Sequence, residues 1–154
     1  MIARVLLAVD DTPAGFAAAR VAIGLASDIG ATVRAVHVLA DHELSALLGT
    51  GTVCERRALA GSHVLHHVAE LALAARVSCE PLMAEGDPVP AILAQAGAWP
   101  ADLVVLGRST RPGPGRPSLS TTVRHLLELA DRPVLVVPAG PGHSESTVDL
   151  RRPV

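Results

Sequence analysis

The chain alternates short apolar runs of strand type with longer segments of helical period, and this alternation constrains the fold more than any other feature. Strands that alternate with helices join as parallel neighbours through right-handed crossovers, which places helices on both faces of one sheet. The sequence therefore predicts an α/β domain built on a five-stranded, parallel, doubly wound, Rossmann-like sheet. The five predicted strands are residues 3–9, 32–39, 77–84, 102–106 and 133–137.

The segments between these strands carry the apolar spacing of amphipathic helices. Thr12 and Pro13 predict an N-cap followed by a proline in the first turn, and Gly30 predicts the end of that helix. Asp87 and Pro88 repeat the same start, and a longer helix is predicted from about residue 55 to 76. The apolar stripes are Phe16, Ala19, Ile23 and Ala26; Val64, Leu65, Val68, Leu71, Ala72 and Ala75; Val89, Ile92, Leu93 and Ala96; and Leu119, Val123, Leu126, Leu127 and Ala130.

Composition limits the core and the partners of this chain. Hydrophobic residues make up 49% of the 154 residues, but with one Phe, one Trp and no Tyr the core must be aliphatic. The same scarcity argues against stacking on single-stranded nucleic acid. A formal net charge of −2 offers no electrostatic footprint for a duplex. All thirteen basic residues are Arg, which excludes a Walker phosphate loop because that loop requires Lys. We expect no nucleic-acid partner.

Cysteine usage and segment hydropathy bear on the compartment. Cys54 and Cys79 lack metal-ligand spacing and any recognisable disulfide framework, which predicts two buried, reduced thiols. No segment reaches the ~18 apolar residues of a membrane span, so a soluble, cytoplasmic protein without a membrane partner is expected. Residues 41–54 form a longer connection without a clear pattern. One domain is predicted over residues 1–138, followed by a largely disordered tail, residues 139–154.

Two adjacent carboxylates, Asp10 and Asp11, follow the first strand directly. Parallel sheets bind ligands beyond the carboxyl ends of their strands, where the strand order reverses. The pair suits the metal site of a phospho-accepting receiver domain, a nucleotide pocket that needs one acid as acceptor, or a simple helix cap. A receiver domain also needs a Lys after its fifth strand, and the absence of Lys argues against it.

A second candidate region runs from Gly107 to Thr122, after the fourth strand and into a helix. Exposed backbone N–H groups and the helix dipole make such a terminus an anion site, and Ser and Thr hydroxyls add donors. Arg108, Arg111 and Arg116 could supply countercharge. A flexible, soluble loop with a Ser or Thr cap explains the same residues, and their chemistry alone leaves both interpretations open.

Histidines offer weaker candidates. His63 and His67 lie one turn apart and could in principle hold a metal, but no third ligand is evident and a polar helix face is expected there. No metal site is therefore predicted. His37, in the second strand, is expected to be structural, although its position beside Val38 keeps a role in a pocket open. No catalytic residue is assigned, because no nucleophile and base pair or Gly-x-Ser-x-Gly elbow is readable.

Five segments, taken together in their order and spacing, resemble the universal stress protein family over residues 2–138. They are VLLAVDDT, AVHVL, GDPVPAIL, ADLVVLGRS and STTVRHLLELADRPVLVVP. The resemblance implies the adenine nucleotide alpha hydrolase-like form of the Rossmann-like fold and a role in the stress response. It also implies a homodimer formed through the last strand, residues 133–137.

Nucleotide-binding members of that family carry a loop of Gly, two residues, Gly, nine residues, then Gly followed by Ser or Thr. This chain keeps the spacing, the first glycine and the final hydroxyl, but Thr and Ser replace the second and third glycines. The resemblance implies ATP as ligand, with Mg²⁺ if it is bound. By position it implies Asp10 near the adenosine, Val38 beside adenine, and Gly107, Thr110, Ser120 and Thr121 along the phosphates.

Three functions remain open from the sequence. The first is a dimeric stress-response regulator that binds ATP or another adenine nucleotide, favoured by the retained Asp10, Gly107 and Thr121. The second is a nucleotide-independent protein of the same fold that acts through unknown protein partners, favoured by the two replaced glycines. The third is an ATP-hydrolysing enzyme, for which hydrolysis is expected to be at most weak and incidental to binding.

Overall fold

One parallel sheet of five strands organises the chain. A computed structural model describes residues 1–40, 51–111 and 118–140. The strands of this sheet are β1 (Arg4–Ala8), β2 (Thr32–Leu39), β3 (Cys79–Glu85), β4 (Leu103–Gly107) and β7 (Val134–Val137), and their order across the sheet is β3-β2-β1-β4-β7. All four pairings between neighbouring strands are parallel, which confirms the predicted fold class.

Within the described ranges, four helices cover the two faces of the sheet: α1 (Pro13–Ile29), α2 (Gly51–Ala74), α3 (Pro88–Ala98) and α4 (Thr121–Leu129). Successive strand residues point to opposite faces. Val5 and Leu7 accordingly pack in the cluster with α1 and α2, while Leu6 packs with α3 and α4. No helix in the described part of the chain is long and apolar enough to cross a membrane.

The two ends of α1 confirm the local sequence signals. The Thr12 hydroxyl accepts the Gly15 N–H at 3.0 Å, and Pro13 occupies the first turn. Gly30 has φ 71°, a left-handed conformation that favours glycine, and its N–H donates to the Ala26 carbonyl. Asp87 and Pro88 hold the predicted N-cap and first-turn positions of α3, but the Asp87 side chain makes no capping hydrogen bond, and only that part of the prediction is wrong.

Two other details differ from the prediction. Helix α2 begins at Gly51 rather than near residue 55, so the end of the predicted connection is helical. Residues 41–50, and residues 141–154 of the predicted tail, lie outside the described ranges. Leu127, expected in the apolar stripe of α4, is 44% exposed, because only the side of α4 with Val123 and Leu126 faces the sheet.

A second, two-stranded sheet interrupts the connection from β4 to α4, which the sequence presented as a loop. Strand β5 (Thr110–Arg111) pairs antiparallel with β6 (Ser118–Leu119), with Thr110 opposite Leu119. We call this pair the β5–β6 ribbon. It brings the start and the end of the connection together above the carboxyl end of β4.

Candidate functional site

A cleft of about 260 Å³ opens where the strand order of the sheet reverses, beyond the carboxyl ends of β1 and β4. We call it the switch-point cleft. Its position is the one at which doubly wound sheets bind ligands. The walls combine an apolar set, Val36, Val38, Ile92, Leu106 and Val123, with a polar set, Asp10, Ser109 and Thr122.

Asp10 lies at the mouth of this cleft, and Thr12 fixes its side chain. The Thr12 hydroxyl donates to Asp10 Oδ1 at 2.6 Å while accepting the Gly15 N–H, so one residue caps α1 and orients the acid. Asp11 is exposed and lines a separate open hollow with Phe16 and Arg20. The two neighbouring acids therefore face different surroundings.

Gly107 lines the cleft for a packing reason that the sequence did not reveal. A Cβ at this position would lie 2.5 Å from the Ala14 carbonyl carbon and 2.7 Å from the Gly15 nitrogen. These are backbone atoms, which cannot move aside as a flexible side chain would. Glycine at 107 thus lets the end of β4 lie directly against the start of α1, independently of any ligand.

Hydrogen bonds within the protein engage several groups of the predicted phosphate cradle. The Ser120 N–H donates to the Ser109 carbonyl at 2.9 Å, and the two Ser hydroxyls hydrogen-bond to each other. The Ser120 hydroxyl also caps α4 by accepting from Val123 N–H at 3.4 Å. Thr110 is paired in the β5–β6 ribbon. The cleft is accordingly lined by Ser109 and Thr122, whereas Thr110, Ser120 and Thr121 lie beside it.

The first amides of α4 remain available at the rim. The initial N–H groups of a helix have no partner within the helix. Val123 N–H is capped by Ser120 and Arg124 N–H bonds the Ser120 carbonyl, so Thr121 and Thr122 carry the amides without a main-chain partner in the described residues. Arg108 is exposed at the end of β4. Together they provide donors and positive charge for an anion.

The hydrogen-bonded ladder between β1 and β2 stops one step before the cleft. Its last bond runs from Val9 N–H to the Val36 carbonyl, at 2.9 Å. The alternation of a parallel ladder directs the next donor, Val38 N–H, toward the Val9 carbonyl. Across the described residues that bond is absent, and the pairing ends at Ala8 and Val36. The N–H and C=O of Val38 thus face the cleft side of β2, beyond the end of β1.

The His37 side chain hydrogen-bonds the Val9 carbonyl, which accepts no ladder bond from the Val38 N–H. His37 Nδ1 lies 2.8 Å from the Val9 oxygen, and because a carbonyl only accepts, Nδ1 carries the proton. Helix α2 packs on the far edge of the ring: a Cβ on Gly61 would lie 2.6 Å from His37 Cδ2 and 3.0 Å from Nε2. Sequence reasoning placed His37 as structural and did not find this contact.

The remaining histidine and cysteine candidates stand apart from the cleft. His67 packs edge-on against Phe16, with ring centroids 5.3 Å apart. His66 Nε2 lies 3.3 Å from Glu70 Oε1. Within residues 1–40, 51–111 and 118–140, no group of three or more potential ligands could hold a metal. Cys79 is half-buried rather than buried, and burial raises the pKa of its thiol. The side chain of Cys54 lies outside the described residues.

A family model identifies the chain. The model of the universal stress protein family matches residues 1–138, and the protein belongs to that family. The resemblance seen in the sequence is thereby confirmed. No curated protein matches the chain.

Solved structures share the same fold. A universal stress protein from Archaeoglobus fulgidus aligns with a TM-score of 0.72 at 20% identity, over 89% of this chain and 98% of its own. A universal stress protein in complex with cAMP aligns with a TM-score of 0.69 at 19% identity, over 90% and 98%. A family member from Arabidopsis thaliana with AMP bound aligns with a TM-score of 0.68 at 16% identity, over 94% and 97%. At these identities the likeness shows the fold.

Proposed function

We propose that this universal stress protein domain binds an adenine nucleotide in the switch-point cleft as a regulatory ligand. The observation that carries the proposal is the convergence of three kinds of group on one cleft. Val38 offers a main-chain donor and acceptor that have no partner among the described residues, Asp10 offers a carboxylate, and Thr122 lines the cleft at a helix N-terminus. Base, sugar and phosphate need these three chemistries respectively.

Each part of the nucleotide has a matching group in this arrangement. Adenine presents an acceptor at N1 beside a donor at the N6 amino group, which complements the N–H and C=O of Val38. The Asp10 carboxylate accepts from ribose hydroxyls. The open amides of Thr121 and Thr122 bind a phosphate, assisted by the helix dipole. Related structures that contain cAMP and AMP support the same class of ligand.

The specific ligand within this proposal is ATP, with Mg²⁺ carried by the triphosphate. Its phosphates would follow the connection from β4 to α4, along Gly107, Thr110, Ser120 and Thr121. Calorimetric titration with ATP, in the presence and absence of Mg²⁺, and with AMP tests this choice. ATP binding no tighter than AMP binding in both conditions would restrict the contacts to the first phosphate and contradict the extended path.

The two adjacent acids supply a matched pair of variants. Asp10→Ala should weaken nucleotide binding about ten- to a hundredfold, the usual effect of losing hydrogen bonds to a charged group. Asp11→Ala removes the same charge one residue away, outside the cleft, and should leave affinity within about twofold, since exposed charges act weakly at a distance. Equal effects of the two variants would refute the placement of the site.

A nucleotide-independent function is the second candidate, and one observation favours it. The Ser120 N–H donates to the Ser109 carbonyl and the hydroxyls of Ser109 and Ser120 bond each other, so donors of the cradle are already engaged. Mass spectrometry of nucleotide released on denaturing purified protein separates the two functions. Recovered adenine nucleotide supports binding. An empty protein that also ignores ATP favours action through protein partners.

Restoring the second and third glycines of the family's loop pattern also distinguishes nucleotide binding from a nucleotide-independent function. In the double variant Thr110→Gly with Ser120→Gly, the loop loses its hydroxyl pair and regains the backbone freedom that close approach to phosphates requires. A degraded cradle should then gain ATP affinity. Affinity that stays undetectable would place the obstacle in the cleft itself.

We also propose that the protein forms a homodimer through β7. This strand lies at an edge of the sheet, and its alternation turns the N–H groups of Val134 and Val136 away from β4. Leu135 is 37% exposed beside them. The unpaired N–H and C=O groups of such an edge can hydrogen-bond a strand from a second copy of the chain.

Light scattering at micromolar concentration tests this proposal and should give twice the chain mass. Val136→Pro, which removes only an outward donor, should give a monomer. A monomeric wild type would contradict the proposal.

A further inference from the structure

His37 has a role in the cleft that its burial alone does not explain. We propose that His37 is a positioning residue for base recognition: its Nδ1–H holds the Val9 carbonyl and so keeps the Val38 N–H free for the nucleotide. This inference rests on the proposed nucleotide site, because the freed amide is the one assigned to adenine. It concerns how the site is built and which base it prefers.

The hydrogen bonds around Val9 support this role. Val9 N–H makes its ladder bond to the Val36 carbonyl, so β1 is still aligned with β2 at this point. The partner bond from Val38 N–H to the Val9 carbonyl is nevertheless missing among the described residues, and His37 Nδ1 lies 2.8 Å from that same oxygen. The ladder therefore ends while β1 is still aligned with β2, at the carbonyl that the His37 ring contacts.

Helix α2 holds the ring in the position that makes this contact. Gly61 is buried, and its missing Cβ leaves room for the ring edge at Cδ2 and Nε2. A methyl group there would push the ring, and Nδ1 with it. The packing of Gly61 in α2 thus sets the position of the His37 ring, and that ring contacts the Val9 carbonyl next to Val38 at the cleft.

The consequence for the ligand is a preference between bases. A free Val38 N–H beside its own C=O complements adenine, which has an acceptor at N1 and a donor at N6. Hypoxanthine has a donor at N1 and an acceptor at C6, so both contacts become repulsive. The wild type should therefore prefer AMP to IMP, and the preference should depend on His37.

Two substitutions separate the donor at Nδ1 from the bulk of the ring. His37→Leu keeps an apolar volume and removes the donor, so Val38 N–H is expected to close the ladder onto Val9. AMP affinity should fall about three- to tenfold, the range for one neutral hydrogen bond, and IMP affinity less. His37→Asn places an N–H two bonds from Cβ, as Nδ1 is, and should restore the AMP preference. A purely structural role would lower both affinities together and leave their ratio unchanged.

Gly61→Ala tests the same chain of contacts without altering His37. It should reduce the AMP to IMP ratio in the direction of His37→Leu. Gly97→Ala is the matched control, because it is another helical glycine whose added Cβ would meet nothing within 4 Å. A ratio that changes equally in both glycine variants would overturn the proposed connection.

Amide hydrogen exchange in the ligand-free protein tests the inference independently of nucleotide binding. In the wild type, Val38 N–H should exchange at least about tenfold faster than Val36 N–H, which lies inside the ladder. In His37→Leu the Val38 rate should fall toward that of Val36. Equal protection of both amides in the wild type would overturn the role of His37. If exchange behaves as expected but no adenine nucleotide binds, the proposed function fails while the release of Val38 by His37 stands.

Discussion

Main-chain N–H and C=O groups are bonded differently at the two ends of the parallel strands. We call the side of the sheet where the strands begin the amino edge and the side where they end the carboxyl edge. At the amino edge, Asp102 Oδ2 accepts the N–H groups of Ala3 and Arg4 at 2.8 and 2.9 Å. The Arg132 guanidinium donates to the carbonyl of Ala96, in the last turn of α3, and to that of Ala101, after the helix, the latter at 3.0 Å. Side chains of the protein thus bond main-chain groups at the start of β1 and around the end of α3.

At the carboxyl edge the comparable groups stay open. The Val38 N–H and the first amides of α4 have no main-chain partner in the described residues, and the nearby acid Asp10 faces a cleft. Unpaired backbone groups are costly when buried and acceptable where water or a ligand reaches them. The contrast indicates that polar side chains at the amino edge serve stability, whereas the open donors of the carboxyl edge are the ones that the proposed nucleotide would bind.

The largest expected effect comes from Gly107→Ala at the carboxyl edge. The new Cβ meets the backbone of Ala14, so either β4 or α1 must shift, and unfolding free energy should fall by about 3 kcal/mol. Urea unfolding measures this loss. Gly24→Ala is the control, since its Cβ meets nothing within 4 Å and alanine favours a helix. A Gly107 variant as stable as the Gly24 variant would contradict the close packing.

Arg132→Ala should reduce the stability of the protein at the amino edge without affecting the cleft at the carboxyl edge. It removes charged donors from two carbonyls, for an expected loss of about 2 kcal/mol in unfolding free energy. Nucleotide affinity, measured by calorimetry on the folded variant, should remain within about twofold of wild type, because the residue lies at the opposite edge. A large change in affinity with little change in stability would show that the two edges are not separate in function.

Ser120→Ala affects both stability and the cradle, with a smaller expected loss. The variant removes the N-cap of α4, which costs about 1 kcal/mol on average. It also frees the Ser109 hydroxyl toward the cleft. Thermal unfolding should show a modest decrease in midpoint, and an unchanged midpoint would mean that the 3.4 Å cap contributes nothing.

Asp102→Asn should have the smallest effect on stability, and the dependence of that effect on pH tests the role of charge at the amino edge. The N–H groups of Ala3 and Arg4 hold the pKa of Asp102 below its usual range. A pKa lowered by folding contributes stability above the unfolded pKa, and this contribution is lost as pH falls through the folded pKa. The stability advantage of wild type over the variant should therefore be present at neutral pH and disappear in acid. Urea midpoints across that range measure it, and a constant difference would contradict the charge-based explanation.

Local features were predictable because their causes lie within a few residues. The start of α1 at Thr12 and Pro13 and its end at Gly30 follow from capping chemistry, and both are confirmed. The central strands β1 and β4 were predictable because they are buried on both faces of the sheet, which makes each a short apolar run. Asp87 shows the limit of this reasoning: the residue type suits a cap, but the hydrogen bond depends on a side-chain conformation that the pattern does not specify.

The arrangement around the cleft was predictable only in part. Asp10, Val38 and Gly107 were placed there by sequence and do line it. Ser109 and Thr122 were not singled out, because the β5–β6 ribbon that positions them pairs residues separated along the chain. No local signal indicates that Gly107 must lie against Ala14. Likewise, a histidine in a strand does not reveal which carbonyl it will meet.

By itself, the sequence determined the order of strands and helices, their apolar faces and the family, since these depend on periodicity, caps and spacing along the chain. Tertiary structure alone decided which donors are engaged and which remain open. The Ser109 hydroxyl engages Ser120, Asp102 accepts the N–H groups of Ala3 and Arg4, and the His37 ring bonds the Val9 carbonyl beside Val38. The physical reason is competition among hydrogen-bonding groups that are distant in sequence, and its outcome exists only once the chain has folded.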